Sequence, residues 1–95
     1  MHMRVTHYKM KPDAMEAATA KLHDIKAQIM ALPGMHQFTN SANADGTGCI
    51  VSLVESREIS EANQSAVQAV WANFSDYLHA EPEANGFDVI VDWHN

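Results

Sequence analysis

The stretch MHQFTNSANADGTGCIVSLVES, Met35 to Ser56, has the pattern of a β-hairpin and decides the fold class. Asp45 and Gly46, followed by Gly48, supply the turn chemistry that joins two short strands. The second arm, CIVSLVE, is almost continuously apolar. Such a strand is typically central in its sheet and covered on both faces. The hairpin therefore predicts a larger sheet that extends beyond these two strands.

A helix is predicted before the hairpin. Pro12 and Asp13 open it, since proline fits the first turn of a helix. Apolar residues then recur at steps of three and four, which places them on one helix face: Met15, Ala18, Leu22, Ile25, Ile29 and Leu32. Pro33 cannot continue the helix, and Gly34 suits the turn that follows it.

A second helix is predicted after the hairpin, from about Ser60 to His79. One stripe of this helix carries Asn63, Val67, Val70, Trp71, Phe74 and Leu78. Asp76 and His79 lie off that stripe. The segment EPEANG, with Pro82 and Gly86, ends the helix.

The two ends of the chain are predicted as strands. MRVTHYKM, Met3 to Met10, contains residues that favour the extended conformation. FDVIVDWH, Phe87 to His94, alternates, with Phe87, Val89, Val91 and Trp93 on one face. The order is therefore β-α-β-β-α-β, the ferredoxin-like arrangement, in a single α+β domain covering residues 1–95. Two helices would cover one face of a four-stranded antiparallel sheet.

The other face of this sheet predicts a homodimer. The first, third and last strands carry apolar residues on both sides, as in Val5 against Tyr8 and Val51 against Ile50. A sheet with one solvated face alternates between apolar and polar residues. The second face is therefore expected to pack against the sheet of a second copy, related by a two-fold axis.

Charge and composition exclude several classes of protein. The formal net charge is −6, which argues against a nucleic-acid partner. Residues 1–44 carry five basic and three acidic groups, whereas residues 45–95 carry one basic and nine acidic groups. This asymmetry indicates either a solvated acidic face or a polarised surface that orients two copies. No apolar run approaches the roughly 18–20 residues of a membrane helix, so no membrane association is expected.

The single cysteine, Cys49, permits no intramolecular disulfide, which fits a cytoplasmic location. Cys49 itself is expected to be a small buried residue. The six histidines show no H-x-H spacing and no helical spacing of four residues, so no metal site is predicted.

The sequence resembles the dimeric α/β-barrel proteins, in particular the antibiotic biosynthesis monooxygenase (ABM)-like domains. The resemblance spans nearly the whole chain and rests on VTHYKMKPDAMEAATAKL, IMALPGMHQF and ADGTGCIVSLVES. It implies a dimer with a site between helices and sheet in each subunit. Members of the family include cofactor-independent oxygenases of quinols and anthrones, and related barrels degrade haem, isomerise lactones or have no known activity.

The resemblance also implies candidate catalytic residues. Some anthrone-oxygenating members use an Asn and a Trp on or near the second helix, and Asn63 and Trp71 lie two turns apart on one face here. Asn63 is either an exposed helix residue or a buried amide that orients a ligand carbonyl. Haem-degrading members have an Asn on the first strand where this chain has His7, and His79 would point away from the face of Trp71.

His7 is the predicted general base. A histidine in an apolar central strand needs a hydrogen bond, and its intrinsic pKa suits proton abstraction from a phenol near neutral pH. A structural role at a neighbouring strand or at the dimer interface is the alternative. His36 supports the same argument more weakly. His94 lies at the C-terminus and is more typical of a residue without a functional role, with contact to the partner chain as the alternative.

The remaining candidates are apolar or aromatic. Phe74, Tyr8 and His36 are predicted to bind substrate, although aromatic residues at the helical spacing of Trp71 and Phe74 usually pack in a core. Two functions follow. One is a small cofactor-independent monooxygenase acting on a hydrophobic aromatic quinol or anthrone. The other is a non-catalytic dimeric domain that binds a small hydrophobic ligand or is purely structural.

Overall fold

The chain forms its strands and helices in the order β-α-β-β-α-β, and the computed structural model describes residues 1–95. The elements are β1 (His2–Lys9), α1 (Met15–Asp24), α2 (Lys26–Met30), β2 (Met35–Ala42), β3 (Thr47–Val54), α3 (Arg57–Ala62), α4 (Gln64–Ala72) and β4 (Glu83–Asp88). Single 3-10 turns precede α1 at Pro12–Ala14 and follow α4 at Ser75–Tyr77.

The four strands form one antiparallel sheet in the order β2-β3-β1-β4. β1 is central and pairs with β3 from His2 opposite Val54 to Lys9 opposite Thr47. The hairpin predicted at Met35 to Ser56 is present as β2 and β3. The ferredoxin-like α+β fold expected from the sequence is therefore confirmed.

Each predicted helix is divided in two. The first is interrupted at Ile25, whose φ of −103° and ψ of 12° leave the helical region. The second begins earlier than predicted because the hydroxyl of Ser56 accepts a hydrogen bond from the Ile59 amide at 3.2 Å, which caps α3. It is then interrupted at Asn63, which ends α3 and begins α4.

The predicted end of the second helix at His79 is wrong, because α4 ends at Ala72. Residues at the end of the 3-10 turn and just after it instead bond to the end of β1 and to the residues that follow β1. The Tyr77 carbonyl accepts from the Lys11 amide at 2.9 Å, and the His79 amide donates to the Lys9 carbonyl at 2.8 Å. Bonds to another segment replace the helical ones, so the helix does not continue.

The predicted last strand is also misplaced. β4 runs over Glu83–Asp88, so the segment expected to be a loop forms the strand and most of FDVIVDWH lies beyond it. Pairing along β1, from His2 opposite Asp88 to His7 opposite Glu83, outweighs the low strand propensity of this segment. After β4, Ile90 is 93% exposed and Trp93 is 88% exposed.

The alternation along β1 separates two environments. Side chains at even positions point towards the helices, where Thr6, Tyr8 and Met10 are buried. Tyr8 and Met10 join Ala18 of α1 and Phe74 after α4 in the core. Side chains at odd positions lie on the opposite face of the sheet. None of the helices has the length and apolar character needed to cross a membrane.

Candidate functional site

A cavity of about 100 Å³, called the inner chamber, lies between the helices and the even face of the sheet. Fifteen of its twenty lining residues are hydrophobic, so its wall suits an apolar ligand. Its hydrophobic lining includes Met10, Met15, Leu22, Ile29, Phe38 and Ile50. Strands β1, β2 and β3 form its floor, and α1, α2 and α4 cover it.

Aromatic rings form one wall of the inner chamber. The Trp71 ring lies 5.9 Å from that of Tyr8 and 6.1 Å from that of Phe74, measured between centroids. The interplanar angles of 56° and 67° are those of tilted and edge-to-face pairs, which stabilise one another beyond simple burial. Trp71 on α4 and Phe74 just after it therefore pack in or against the core and also form the cavity wall.

Tyr8 is fixed from two sides. Its hydroxyl donates to the Asn40 side-chain oxygen at 2.5 Å across the sheet. Gly48, opposite Tyr8 on β3, leaves the space that the ring occupies: a Cβ there would stand 2.2 Å from the ring carbon Cζ. Burial raises the pKa of Tyr8, and the hydrogen bond with Asn40 opposes this only in part. Tyr8 is therefore a neutral, oriented group at neutral pH.

A second, more open cavity of about 350 Å³, called the outer chamber, adjoins the inner one. It is lined by Arg4, Thr6, Val67, Gln68, Trp71, Glu81, Pro82 and Ala84. Arg4, Thr6, Val67 and Trp71 line both chambers and so form the junction between them. An apolar interior that opens into a polar mouth suits a flat molecule with its polar group outward.

Arg4 is the functional candidate that sequence reasoning missed. It lies on the even face of β1, between Ser52 on β3 and Gly86 on β4. Its Nε atom is buried and has no hydrogen-bond partner. None of the ion pairs in the chain involves Arg4. The sequence did contain a signal for Arg4, because Arg4 and Tyr8 both occupy even positions of β1 and so lie on the same face of the sheet.

Three of the predicted site residues come together, since Tyr8, Trp71 and Phe74 all line the inner chamber. His7 does not. It is exposed, and its odd position puts it on the opposite face of the sheet, across from Cys49 and Glu83. The alternation of side chains along a strand therefore separates the predicted base from the chamber.

Asn63 and His36 also lie away from the chambers. Asn63 is buried, and its amide donates to the Pro33 carbonyl at 2.8 Å, which ties the break between α3 and α4 to the turn before β2. His36 is exposed, and its Nε2 lies 2.6 Å from a carboxylate oxygen of Glu55. Both contacts account for these side chains without a ligand.

Ionisable side chains are scarce around the chambers. Arg4 and Tyr8 line the inner chamber, and Glu81 lies at the rim of the outer one. No cluster of three or more His, Cys, Asp or Glu side chains is arranged to hold a metal ion. The arrangement can bind a flat aromatic molecule and place donors of hydrogen bonds at one end of it.

Comparison with known proteins identifies the fold. No protein-family model matches the sequence, and no curated protein matches it significantly. A Nitrosomonas europaea protein of unknown function superposes with a TM-score of 0.80 at 14% identity, over 99% of this chain and 93% of that one. A Caulobacter crescentus protein that carries the name of an antibiotic biosynthesis monooxygenase gives 0.79 at 15%, over 95% and 90%.

A third solved structure is the monooxygenase from the ActVA-Orf6 gene of Streptomyces coelicolor, in complex with the ligand nanaomycin D. It superposes with a TM-score of 0.78 at 17% identity, over 99% of this chain and 91% of that one. Identities this low speak for fold and not for activity. The chain therefore has the ferredoxin-like fold of the antibiotic biosynthesis monooxygenase structures, as its sequence resemblance predicts.

Proposed function

We propose that this protein is a small cofactor-independent monooxygenase that acts on a hydrophobic aromatic substrate of the quinol or anthrone type. The observation that carries the proposal is the apolar inner chamber, with Tyr8, Trp71 and Phe74 on its wall and a polar mouth beside it. The Streptomyces coelicolor monooxygenase that was solved with nanaomycin D has the same fold, which supports this reaction class.

The reaction uses the substrate as its own reductant. An anthrone loses a proton from its central CH₂ carbon, and the resulting carbanion transfers electrons to O₂. One oxygen atom becomes the new carbonyl, and the other leaves as water with the two hydrogens of that carbon. Trp71 lines both chambers, and in this scheme its indole N–H donates to the substrate oxygen on which negative charge accumulates.

The proton leaves towards the outer chamber in this scheme. No carboxylate or imidazole lines the inner chamber, whereas Glu81 lines the more open outer chamber. His7, on the opposite face of the sheet, takes no part. The barrier is lowered mainly by excluding water and by stabilising the anion, and less by a positioned base.

Oxygen uptake with anthrone and with 1,4-dihydroxynaphthalene tests the proposal, with quinone absorbance as the second readout. Trp71→Phe keeps the aromatic wall and removes the N–H donor, so turnover is expected to fall about tenfold to a thousandfold. Trp93→Phe is the matched control, because Trp93 is 88% exposed and lies outside both chambers.

Cofactor independence is tested in the same assay, with chelator and with added flavin or metal ions. Equal rates in all conditions support it, and a rate that appears only with an added cofactor contradicts it. A wild-type rate equal to the protein-free blank, or equal rates for Trp71→Phe and wild type, would overturn the proposed reaction.

The second candidate is a non-catalytic binding domain. The inner chamber of about 100 Å³ is smaller than the roughly 300 Å³ of a typical ligand site, unless the ligand extends into the outer chamber. Binding of the same aromatics, measured by calorimetry, without any oxygen consumption would favour this function.

The proposed functional unit is a homodimer. Apolar side chains remain exposed at the end of β4 and beyond it, with Phe87 at 56% and Val91 at 63%. Adjacent on the outer sheet face lie Met3 and Val5. Sedimentation equilibrium is expected to give twice the chain mass of 10.5 kDa, and Phe87→Lys to lower that value. A wild-type protein that sediments as a 10.5 kDa monomer contradicts the dimer.

A further inference from the structure

The strongest unexplained feature of the cavity is the unpartnered guanidinium of Arg4. Its Nε is buried without a hydrogen-bond partner, and no carboxylate lies within ion-pair distance of the side chain. A buried donor left unpaired is costly. Such a group persists in a fold when something outside the chain completes it.

The position of Arg4 indicates what completes it. Arg4 lines both chambers, at their junction, and Thr6 and Trp71 line the same junction. Inward of this point the wall is predominantly apolar, and outward it is polar. A ligand that fills the inner chamber with an aromatic body therefore ends in a polar group at Arg4.

We propose that Arg4 is an anion-binding residue of this site and that the ligand carries an ionised oxygen, as a carboxylate or phenolate, directly on its aromatic body. This inference rests on the proposed function, since it names the substrate class of the same cavity. The guanidinium presents several N–H donors in one plane, which matches an ionised oxygen better than a neutral carbonyl.

Charges near the junction are consistent with one anionic group. The charged side chains that line the two chambers are Arg4 and Glu81. Glu81 is exposed at the rim, where solvent screens it, whereas the Nε of Arg4 is sequestered. Glu81→Gln is therefore expected to leave the preference for an anion intact and to strengthen binding of the anion slightly.

Calorimetric titration with 2-naphthoate and 2-naphthamide tests the inference, because the two molecules share a shape and differ in charge. Wild type is expected to bind the naphthoate at least about tenfold more tightly. Arg4→Gln is expected to weaken naphthoate binding about tenfold to a hundredfold and to leave naphthamide binding unchanged. Arg4→Lys keeps the charge without the planar donors and is expected to lie between the two.

Arg57→Gln is the matched control. Arg57 pairs with Asp88 at 3.3 Å and lines neither chamber, so its loss is expected to leave both affinities unchanged. Arg4→Met provides a second, independent readout. If the guanidinium awaits a ligand, its removal is expected to raise the melting temperature of the ligand-free protein, whereas loss of a structural arginine would lower it.

The failure of this inference is distinguishable from the failure of the proposed function. Equal affinities of wild type for naphthoate and naphthamide, absence of naphthoate binding, or equal losses for both ligands in Arg4→Gln would each overturn the role of Arg4. Oxygen uptake with neutral anthrone reports on the proposed reaction independently, and a normal rate there would leave the reaction standing.

Discussion

Replacing Gly48 by alanine perturbs the cavity wall at a defined point. The added Cβ would stand 2.2 Å from Cζ of Tyr8 and 2.3 Å from its hydroxyl oxygen. To restore an ordinary contact of 3.4 Å, the ring must move by about 1.2 Å. The Tyr8 ring is rigid, is hydrogen-bonded to Asn40 and packs on Trp71, so little relaxation is available.

The cost follows from these contacts. Overpacking a core costs about 1–3 kcal/mol, and losing the bond to Asn40 adds about 1 kcal/mol, so Gly48→Ala is expected to destabilise the protein by about 2–4 kcal/mol. For a domain of this size, the melting temperature falls by about 8 °C or more. Urea unfolding and calorimetry measure both quantities.

A double-mutant cycle isolates the cause. In a Tyr8→Ala background the clash is gone, so Gly48→Ala is expected to be neutral or to stabilise by up to about 1 kcal/mol, as alanine does relative to glycine within a strand. A Gly48→Ala protein as stable as wild type would refute the reasoning. So would an equal cost in both backgrounds, because the strain would then lie in the backbone.

Three further predictions concern stability. Phe74 is 4% exposed in the core, so Phe74→Ala is expected to cost about 3–5 kcal/mol in urea unfolding, and a loss below 1 kcal/mol would contradict its core position. Asn63→Ala loses the hydrogen bond to the Pro33 carbonyl and is expected to cost about 1 kcal/mol of stability. Asn63→Asp is expected to cost more, because a buried carboxylate cannot donate to that carbonyl. A larger loss for Asn63→Ala than for Asn63→Asp would argue against this bond. The hydrogen bond with His2 holds the pKa of Asp88 below its ordinary value of 3.8. The Asp88 carboxylate therefore contributes to stability above pH 3.8, and this contribution is lost as the pH falls below 3.8. Asp88→Asn is expected to make the free energy of unfolding depend less on pH when unfolding is measured between about pH 5 and pH 2.

Local sequence patterns predicted most of the fold. Turn residues at Asp45 and Gly46 and the apolar run after them located the hairpin within a few residues. Helical periodicity located both helical regions, but it could not reveal the breaks at Ile25 and Asn63. The break at Asn63 coincides with a contact to another segment, the bond from Asn63 to the Pro33 carbonyl.

The site was predicted less completely. Trp71 and Phe74 were among the candidates because aromatic residues on a core-facing helix stripe also line the cavity beneath it, and Tyr8 lines the same cavity from β1. His7 was chosen for its chemistry, although its odd position on β1 groups it with Val5 and not with Tyr8. Only the packing of the helices on the sheet decides whether the even or the odd positions of β1 face the cavity. The even positions do, so Arg4 lines the cavity and His7 does not.

The amino-acid sequence by itself determined the order of strands and helices, because periodicity, turn residues and helix-ending prolines act over a few neighbouring residues. Tertiary structure alone decided the extent of β4 and the environment of Arg4. The backbone of β1 selects Glu83–Asp88 as its partner despite their weak strand propensity. Arg4 and residues of α4 line the same cavity although some sixty residues separate them in the chain, and no local pattern encodes that proximity.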